Sequence, residues 1–420
     1  MAHALTRHAA AAAAAAGLAP LAGVALLLRA PWREGVGERL GWRTPRARGA
    51  VWVHGASVGE VLAATRLLDA LRERGHGVVV STTTATGRDV IGRTRPDVPR
   101  TLAPIDHPWC VELALSRVEP AALVLVETEL WPCWIGAAAR RGIPVIAVSG
   151  RISERSFPRY RRLAPIFRSA FAQLSAVGAR SGLDAERYAA LGVARDRITV
   201  TGDLKLEPPA VLQVLASDLE HLLGGAPFWV AASTRPGEDD AVAAAHVEAQ
   251  KAGLASAVVI APRHLDRIEE LELSLLARGI PVRRRSRAGR TPLAAGEALI
   301  LDTLGELPAV FARARFAFVG GTLAPTGGHN VLEPAYAGRA VLFGPHVEKV
   351  REASALLLEC GGAQGVAHAG ELARAVVEWL GDLEGVAERG AQALRALARH
   401  RGATERSLAL VERVLGGEPV

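Results

Sequence analysis

The chain is poor in cysteine and in lysine, and each scarcity excludes a class of protein. Three cysteines in 420 residues, far apart and odd in number, form neither a disulfide framework nor a CxxC metal pair, so a reducing compartment is expected. Only three of the 50 basic residues are lysines, and the arginines are spread along the chain. The net charge of +7 and the pI near 10.0 therefore indicate a basic surface and not a nucleic-acid partner.

Length and composition predict two folded domains. A chain of 420 residues exceeds one typical core, and half of its residues are hydrophobic while 22% are charged, which is a globular composition. After residue 50, short apolar runs alternate with helix-period segments, a pattern typical of parallel sheets covered on both faces. The strand-like runs are Val51–Val53, Val78–Ser81, Leu123–Val126, Val145–Val148, Ala176–Val177, Phe228–Ala232, Ala257–Ala261, Val282–Arg284, Ala298–Leu301, Phe316–Val319 and Val341–Phe343.

A break in this alternation divides the chain. The stretch "KLEPP" ends the first half, and strand-like runs resume at Phe228. Ligands of doubly wound sheets bind outside the carboxyl ends of the strands, so a cleft between two such domains is the expected site. We predict an N-terminal segment over 1–32, an α/β domain over 33–205, a linker over 206–227, and a second α/β domain over 228–420 that includes the closing helical stretch Leu383–Leu415.

The N-terminal segment contains a long stretch without charge. Residues Ala9–Leu28 lie between Arg7 and Arg29 and can span a bilayer, although polyalanine and Pro20 weaken the pattern. Arginines that follow favour a cytoplasmic body by the positive-inside rule. We predict a membrane anchor or a segment that lies on the inner membrane. A soluble extension and a cleaved signal peptide are the alternatives.

Acidic residues follow two of the strand-like runs in the first half. In "HGASVGE", Glu60 falls in the first turn of a helix after Ser57 and Gly59, where an acid also suits the helix dipole. In "VETELWP", Glu127 and Glu129 lie two residues apart at a strand end, so both carboxylates point the same way. Burying two like charges requires a cation or substrate hydroxyls, which makes the pair a candidate site; a solvated loop is the alternative.

A glycine-rich segment, "FVGGTLAPTGGHNVLEPA", is the strongest candidate in the second half. Glycine pairs at both ends of a short loop suit backbone amides packed against an anion at a helix start, and the acid one turn further can reach a ribose diol. The segment is neither a Walker A loop nor a GxGxxG fingerprint. The residues concerned are Gly320, Gly321, Gly327, Gly328, His329, Asn330 and Glu333.

Three other motifs lie at predicted strand ends. In "STRPGED", Ser233 and Thr234 precede a helix with Glu238 in its first turn, and they either cap that helix or offer amides to a phosphate. Lys205 in "TGDLK" and Arg263 in "APRH" are candidate ligand-binding cations, although either alone is equally consistent with a solvated surface charge.

Six motifs together resemble one family in order and spacing, over about residues 30–360: "HGASVGE", "ETELWP", "SGRISERS", "TGDLK", "APRH" and "GGTLAPTGGHNVLEPA". They resemble the Kdo (3-deoxy-D-manno-octulosonic acid) transferases of Gram-negative lipid A assembly. The resemblance implies a GT-B fold, with two Rossmann-like domains facing across a cleft and an N-terminal membrane-associated segment. It implies transfer of Kdo from CMP-Kdo to a lipid A precursor (lipid IVA) at the cytoplasmic face of the inner membrane, with no metal or other cofactor. The chain departs from the family pattern at Cys133, at Ser149-Gly150 and at Asp203, where Asn, "NAR" and Asn are usual.

The resemblance also implies residue roles. Glu60 matches the family's general base, in an acceptor-side N-terminal domain. The donor and acceptor pocket is assigned Ser57, Gly59, Glu127, Glu129, Arg151 and Lys205. The nucleotide-binding residues, in the C-terminal domain, are Ser233, Thr234, Arg263, Gly320, Gly321, Gly327, Gly328, His329, Asn330 and Glu333.

Sugar transfer with inversion fits this division of residues. One base removes the proton of the acceptor hydroxyl while the nucleotide leaves from the opposite face, and the departing CMP phosphate needs positive charge and amides. The segment "RISERSFPRYRRLAPIFR" suits lipid phosphates at an interface, with a solvated basic helix as the alternative. Two other functions stay open: a GT-B transferase using a UDP-sugar and a lipid acceptor, and a non-catalytic membrane-bound nucleotide- or lipid-binding protein.

Overall fold

The apolar runs of the first half form a seven-stranded parallel sheet. Its strands are β1 (Val51–His54), β2 (Val78–Thr82), β3 (Arg100–Leu102), β4 (Ala122–Val126), β5 (Val145–Gly150), β6 (Ala176–Ala179) and β7 (Ile198–Val200). The sheet order is β3-β2-β1-β4-β5-β6-β7. The helices are α1 (Val36–Arg39), α2 (Val58–Ala63), α3 (Thr65–Glu73), α4 (Ala85–Thr94), α5 (Pro108–Val118), α6 (Pro132–Arg140), α7 (Ser156–Arg162), α8 (Ala164–Ala172) and α9 (Gly182–Leu191).

The second half forms another seven-stranded parallel sheet. Its strands are β8 (Phe228–Thr234), β9 (Ala257–Pro262), β10 (Val282–Arg284), β11 (Ala298–Ile300), β12 (Phe316–Val319), β13 (Ala340–Phe343) and β14 (Ala363–Gly365). The sheet order is β10-β11-β9-β8-β12-β13-β14. The helices are α10 (Ser217–Leu222), α11 (Glu238–Lys251), α12 (Ile268–Ala277), α13 (Leu307–Phe311), α14 (Leu332–Tyr336), α15 (Arg351–Glu359), α16 (Ala369–Gly381), α17 (Leu383–Ala398) and α18 (Ala403–Leu415).

Both faces of each sheet are buried, which explains why the strands have uninterrupted apolar sequences. On β1, Trp52 packs in a cluster with side chains of α5, α6 and α8. Its neighbours Val51 and Val53 pack on the opposite face with α3 and α18. The second sheet likewise lies between two apolar clusters. The predicted α/β class and GT-B fold are confirmed.

The computed structural model describes residues 34–208 and 215–417, which divide into two units. The first unit comprises the described residues up to Glu207 and those from Gly402 onward, and the second runs from Pro208 to Arg401. The predicted membrane segment, 1–32, lies outside the described residues. Within the part that is described, no helix has the length and apolar character needed to cross a membrane.

The unit boundaries differ from the predicted domain boundaries at both ends of the second unit. The predicted second domain included α18, but this helix packs on the first sheet, and Thr404 at its start donates its backbone N–H to the carboxylate of Glu207 at 2.9 Å. The predicted linker included α10, whose Leu219 and Leu222 are buried beneath the second sheet. Sequence alternation did not reveal either contact, because each joins residues that are separated along the chain.

Three strands that the sequence did not predict, β3, β7 and β14, lie at sheet edges and are three residues long. Each is only partly buried, so none has a continuous apolar run. The predicted helical stretch Leu383–Leu415 is divided in the structure, where it is interrupted at Gly402, which has a φ of 73°.

In each sheet the strand order reverses at one position, and the candidate residues follow the strands at that position. In the first sheet β1 lies beside β4, and in the second β8 lies beside β12. Glu60 follows β1 and Glu127 follows β4, while Ser233 is the next-to-last residue of β8 and Gly320 follows β12. Ligands of open α/β sheets bind at the carboxyl ends of the strands at such switch points.

Candidate functional site

Glu60 is held at the carboxyl end of β1 by the start of α2. Ser57 is the N-cap of this helix, and its hydroxyl accepts from the backbone N–H of Glu60 at 3.3 Å. The same hydroxyl donates to one carboxylate oxygen of Glu60 at 2.8 Å, and the N–H of Ala56 donates to the other at 2.8 Å. The helix-capping role expected from the sequence is therefore present, and it also fixes the carboxylate.

The surroundings of Glu60 favour its protonated form. Burial raises the pKa of the Glu60 carboxyl above its ordinary value, and the charge of Glu127 raises it further. The hydrogen bond from Ser57 opposes this pKa shift, and Glu129 adds a smaller increase. A carboxylate with a raised pKa is a better proton acceptor near neutral pH than an ordinary glutamate.

Glu127 forms an ion pair with Lys205, which the family resemblance assigns to the same pocket. The Nζ of Lys205 forms an ion pair with Glu127, whose side chain is only 16% exposed. The side chain of Lys205 passes over Gly59, where an added Cβ would lie 3.7 Å from Cε. Glu127 has a φ of 65°, a left-handed conformation that is uncommon for a non-glycine residue. The turn after β4 therefore directs this carboxylate toward a cation.

Glu129 is held by an aromatic side chain and lies close to a buried histidine. The indole Nε1 of Trp131 donates to Oε2 of Glu129 at 2.7 Å. The Nε2 of His54 lies 3.5 Å from the same oxygen. Neither acid of the "ETE" motif is thus in a fully solvated loop, since the Glu129 side chain is 18% exposed.

Arg151 and the "TGDLK" turn complete this side of the site. The hydroxyl of Thr128, between the two acids, donates to the carbonyl of Arg151. Asp203 accepts from the N–H of Lys205 at 2.9 Å and from the hydroxyl of Ser149 at 3.3 Å. Ser149 has a φ of 53°, a conformation that asparagine adopts readily, so the usual Asn at this position suits the backbone.

The basic segment after Arg151 presents arginines but not its aromatic rings. Tyr160 packs edge-on against Phe167 and Phe171, with ring centroids 5.2 and 5.7 Å away. The guanidinium groups of Arg161 and Arg187 each lie 5.8 Å from the ring centroid of Phe157. Phe157, Tyr160 and Phe167 are half-buried against the first core, so the arginines form the more exposed part of this segment. The exposed cations of α7 and α8 and the turn before them are Arg155, Arg159, Arg161, Arg162 and Arg168.

In the second unit, the amides that follow Gly320 are occupied by a carboxylate of the protein. Glu238 is 2% exposed, and its oxygens accept from four consecutive amides, those of residues 321–324, and from the N–H of Arg235. A Cβ on Gly320 would meet Oε2 of Glu238 at 2.7 Å. The expectation that amides after Gly320 hold an anion of the ligand is thus corrected, because Glu238 takes that place.

The predicted cap of α11 is also wrong. Ser233 and Thr234 are the last residues of β8, and the N-cap of α11 is Gly237, with a φ of 85°. Ser233 has a φ of 56°, in the left-handed region that is uncommon for a non-glycine residue. The carbonyl of Thr234 accepts from the N–H of Arg263 at 3.1 Å, so these residues position the arginine that was assigned to the nucleotide.

The second glycine pair lies in a cationic environment. Gly327 and Gly328 have φ values of 89° and 87°, and the side chain of Lys349 packs 3.0 Å from the Cβ position of Gly327. Burial, Arg235 and Arg263 lower the pKa of His329 to about 4, so this imidazole is neutral near pH 7. The Nε of Arg235 donates to Nε2 of His329 at 3.2 Å. Because the imidazole is neutral, the charges of the nearby cations make this loop electropositive, which suits a phosphate.

Asn330 and Glu333 form a pair at the start of α14. The amide of Asn330 donates to Glu333 at 3.2 Å, and its oxygen accepts from the N–H of Leu332 at 3.1 Å. Burial raises the pKa of the Glu333 carboxyl, against the hydrogen bond from Asn330 and the charge of Arg263. The acid predicted to reach a ribose diol is thus half-buried and within the field of Arg263.

Sequence reasoning missed four residues that shape these two clusters. Lys349 is one of only three lysines in the chain, and that rarity was an available signal. Arg235 and His54 lie within the motifs but received no role. Glu238 was read only as a first-turn acid, and nothing local indicates that it binds amides more than eighty residues away.

Comparisons with known proteins agree on one family. A family model described as 3-deoxy-D-manno-octulosonic-acid transferase (kdotransferase) matches residues 34–207. The chain is 37% identical to the 3-deoxy-D-manno-octulosonic acid transferase of Bordetella pertussis, over 93% of this chain and 92% of the relative. It is 31% identical to that of Haemophilus influenzae, over 91% of each chain. The crystal structure of Acinetobacter baumannii MurG has a TM-score of 0.54 at 12% identity, covers 87% of this chain and 99% of that one, and is similar in fold alone.

Proposed function

The chain belongs to the 3-deoxy-D-manno-octulosonic acid (Kdo) transferase family and is a glycosyltransferase, and we propose that it transfers Kdo from CMP-Kdo to a lipid A precursor, lipid IVA, with inversion. In this proposal the reaction belongs to lipopolysaccharide core assembly. The observation that supports it most directly is the Glu60 carboxylate, oriented by two hydrogen bonds beside Glu127, Glu129 and Lys205.

Glu60 acts as the general base in this reaction. It accepts the proton of an acceptor hydroxyl as that oxygen attacks the anomeric carbon of Kdo and the bond to CMP breaks from the opposite face. The raised pKa of Glu60 suits the task, and Ser57 and Ala56 hold both oxygens so that one lone pair can face the hydroxyl. Lys205 compensates the charge of Glu127 and can pair with the carboxylate of the sugar.

The second unit binds the nucleotide and stabilises it as it leaves. CMP departs as a phosphate that needs positive charge more than a proton, and the loop at Gly327-Gly328 lies beside Arg263, Arg235 and Lys349. Electrostatic stabilisation by these cations requires no metal ion in this proposal. Glu333, paired with Asn330, accepts hydrogen bonds from the ribose hydroxyls.

We place the reaction at the cytoplasmic face of the inner membrane. The five exposed arginines of α7, α8 and the turn before them suit the phosphates of the lipid acceptor. Sedimentation of the purified chain with anionic and with neutral vesicles tests this placement. Binding that is equal on both, or unchanged when Arg159, Arg161 and Arg162 are replaced by glutamine, would contradict it.

The central experiment compares two acids that cap helices. The purified full chain is incubated with CMP-Kdo and a tetraacyl lipid A precursor, and the product is identified by mass spectrometry. Glu60→Gln should lose on the order of 10²- to 10⁴-fold in rate while still binding CMP-Kdo. Glu371→Gln is the matched control, since Glu371 accepts an N–H from Ala367 at 2.7 Å at the start of α16.

The outcomes separate the proposed function from its alternatives. Full activity in Glu60→Gln would remove the proposed base, and equal losses in both variants would indicate a role in capping alone. Stronger thermal stabilisation of the wild type by UDP than by CMP would favour a UDP-sugar donor. A wild type that makes no product from CMP-Kdo and the lipid precursor would favour a non-catalytic binding protein. The product mass also reports how many Kdo units are added.

A further inference from the structure

A histidine with no exposed surface lies behind the acidic pair of the first unit. His54 is 0% exposed at the end of β1, among the rings of Trp131 and Trp134, whose centroids are 5.9 and 5.1 Å from that of its imidazole. Its Nδ1 lies 3.0 Å from the hydroxyl of Ser81. Its Nε2 makes no hydrogen bond within the described residues and faces Oε2 of Glu129 at 3.5 Å.

The neighbours of His54 determine which nitrogen carries the proton. The indole of Trp52 can only donate, and it donates to the Ser81 hydroxyl at 2.9 Å. The Ser81 hydroxyl still has one proton and one lone pair for Nδ1, and it donates that proton in the tautomer that carries the imidazole proton on Nε2. The opposite tautomer would set a lone pair against a carboxylate oxygen where water is excluded, which is unfavourable.

We propose that His54 is a positioning residue for the sugar transfer, and that its Nε2–H orients the carboxylate of Glu129. The hydrogen bonds from Trp52 to Ser81 and from Ser81 to His54 hold the imidazole in place for this. His54 touches no substrate in this proposal and acts only through Glu129. The inference deepens the proposed function and rests on it for the identity of the substrate.

The geometry supports orientation of one carboxylate oxygen. Trp131 and His54 both approach Oε2 of Glu129, so rotation of the carboxylate would break a hydrogen bond and move an anion away from a donor. The other oxygen, Oε1, is then set in one direction for a substrate hydroxyl. The 3.5 Å separation exceeds an ordinary hydrogen bond, and hydrogen bonds of active sites commonly shorten when substrate binds.

Two substitutions at His54 separate its two nitrogens. In His54→Gln the side-chain amide can occupy the position of Nε2, whereas in His54→Asn it can reach only the position of Nδ1. We expect His54→Asn to lose on the order of 10- to 100-fold in kcat/KM, because a carboxylate displaced by about 1 Å costs that much. His54→Gln should recover most of the loss. His246→Asn is the control for burial, since His246 is also 0% exposed and lies in the second unit.

A double-substitution cycle tests whether His54 acts through Glu129. In the Glu129→Ala background, His54→Asn should cause no further loss of kcat/KM. In the wild-type background, the loss in His54→Asn should be divided between kcat and KM in the same way as the loss in Glu129→Ala. The inference would be overturned if the losses of kcat/KM in His54→Asn and Glu129→Ala multiplied in the double variant. Equal losses in His54→Asn and His54→Gln, or unchanged kinetics in a folded His54→Asn, would also overturn it. His246→Asn should lower the unfolding temperature without changing kcat/KM, and a similar kinetic loss there would also overturn it.

A measurement that needs no activity keeps the inference separate from the proposed function. NMR of the wild type with ¹⁵N-labelled histidine, assigned with His54→Asn, shows whether Nε2 carries a proton. A protonated Nε2 supports the inference, and an unprotonated one overturns it. A wild type that transfers no Kdo but has this proton would refute the proposed function alone.

Discussion

The substitution Glu238→Gln tests the carboxylate that closes the loop after β12. Both oxygens of Glu238 accept backbone N–H groups, five in all, and the residue is 2% exposed. In glutamine one oxygen becomes an NH₂ group, so at least two of these amides face a donor. Each buried group left without a partner costs about 1–3 kcal/mol, so the free energy of unfolding of the second unit should fall by roughly 2–6 kcal/mol.

The assay is thermal unfolding followed by circular dichroism, with hydrogen exchange of the segment 320–326 read by mass spectrometry. At about 2–4 °C per kcal/mol for a domain of this size, the unfolding temperature should fall by roughly 4–24 °C and the amides should exchange faster. Asp240→Asn is the control on the same helix, because Asp240 is 62% exposed and pairs with Arg278 at the surface; it should cost less than about 1 kcal/mol. A Glu238→Gln midpoint within about 2 °C of the wild type, with unchanged exchange, would refute the assigned amide contacts.

Three other predictions concern pH and the unit boundary. The charge of Glu127 raises the pKa of Glu60, and a general base must be deprotonated to act. Glu127→Gln should therefore move the acid limb of the kcat–pH profile to lower pH. An acid limb at the same or a higher pH would contradict this. His329 should titrate near pH 4 by NMR, whereas a histidine of the unfolded chain binds its proton near pH 6.5. The second unit should therefore lose stability as pH falls from about 6.5 toward 4. An NMR titration midpoint of His329 near pH 6.5 would contradict this prediction. Removing 402–420 deletes the buried side chains of Leu408, Leu410 and Val411 and should destabilise the first unit by roughly 4.5–9 kcal/mol, at about 1.5–3 kcal/mol for each of them, while the second unit keeps its own unfolding transition.

The fold class and the position of both clusters were predictable because their signals are local. Runs such as Leu123–Val126 are apolar on both faces because both faces are buried, and the polar residues after them must lie at the carboxyl ends of parallel strands. Edge strands were not predictable in the same way, since β7 is only partly buried and therefore has no continuous apolar run. The amides after Gly320 were assigned to an anion of the ligand, whereas in the structure Glu238 accepts them.

The sequence by itself determined the α/β class, the division into two sheets, and which acids and glycines follow which strands, because hydrophobic period and residue chemistry are properties of short segments. Only the tertiary structure decided the partners. It assigned the amides of 321–324 to Glu238, set His54 against Glu129, and returned α18 to the first unit through Glu207. Each of these contacts joins residues from about 75 to 200 positions apart along the chain. Several groups in the sequence could make each contact equally well by their chemistry, and the packing of the sheets decides which of them come together.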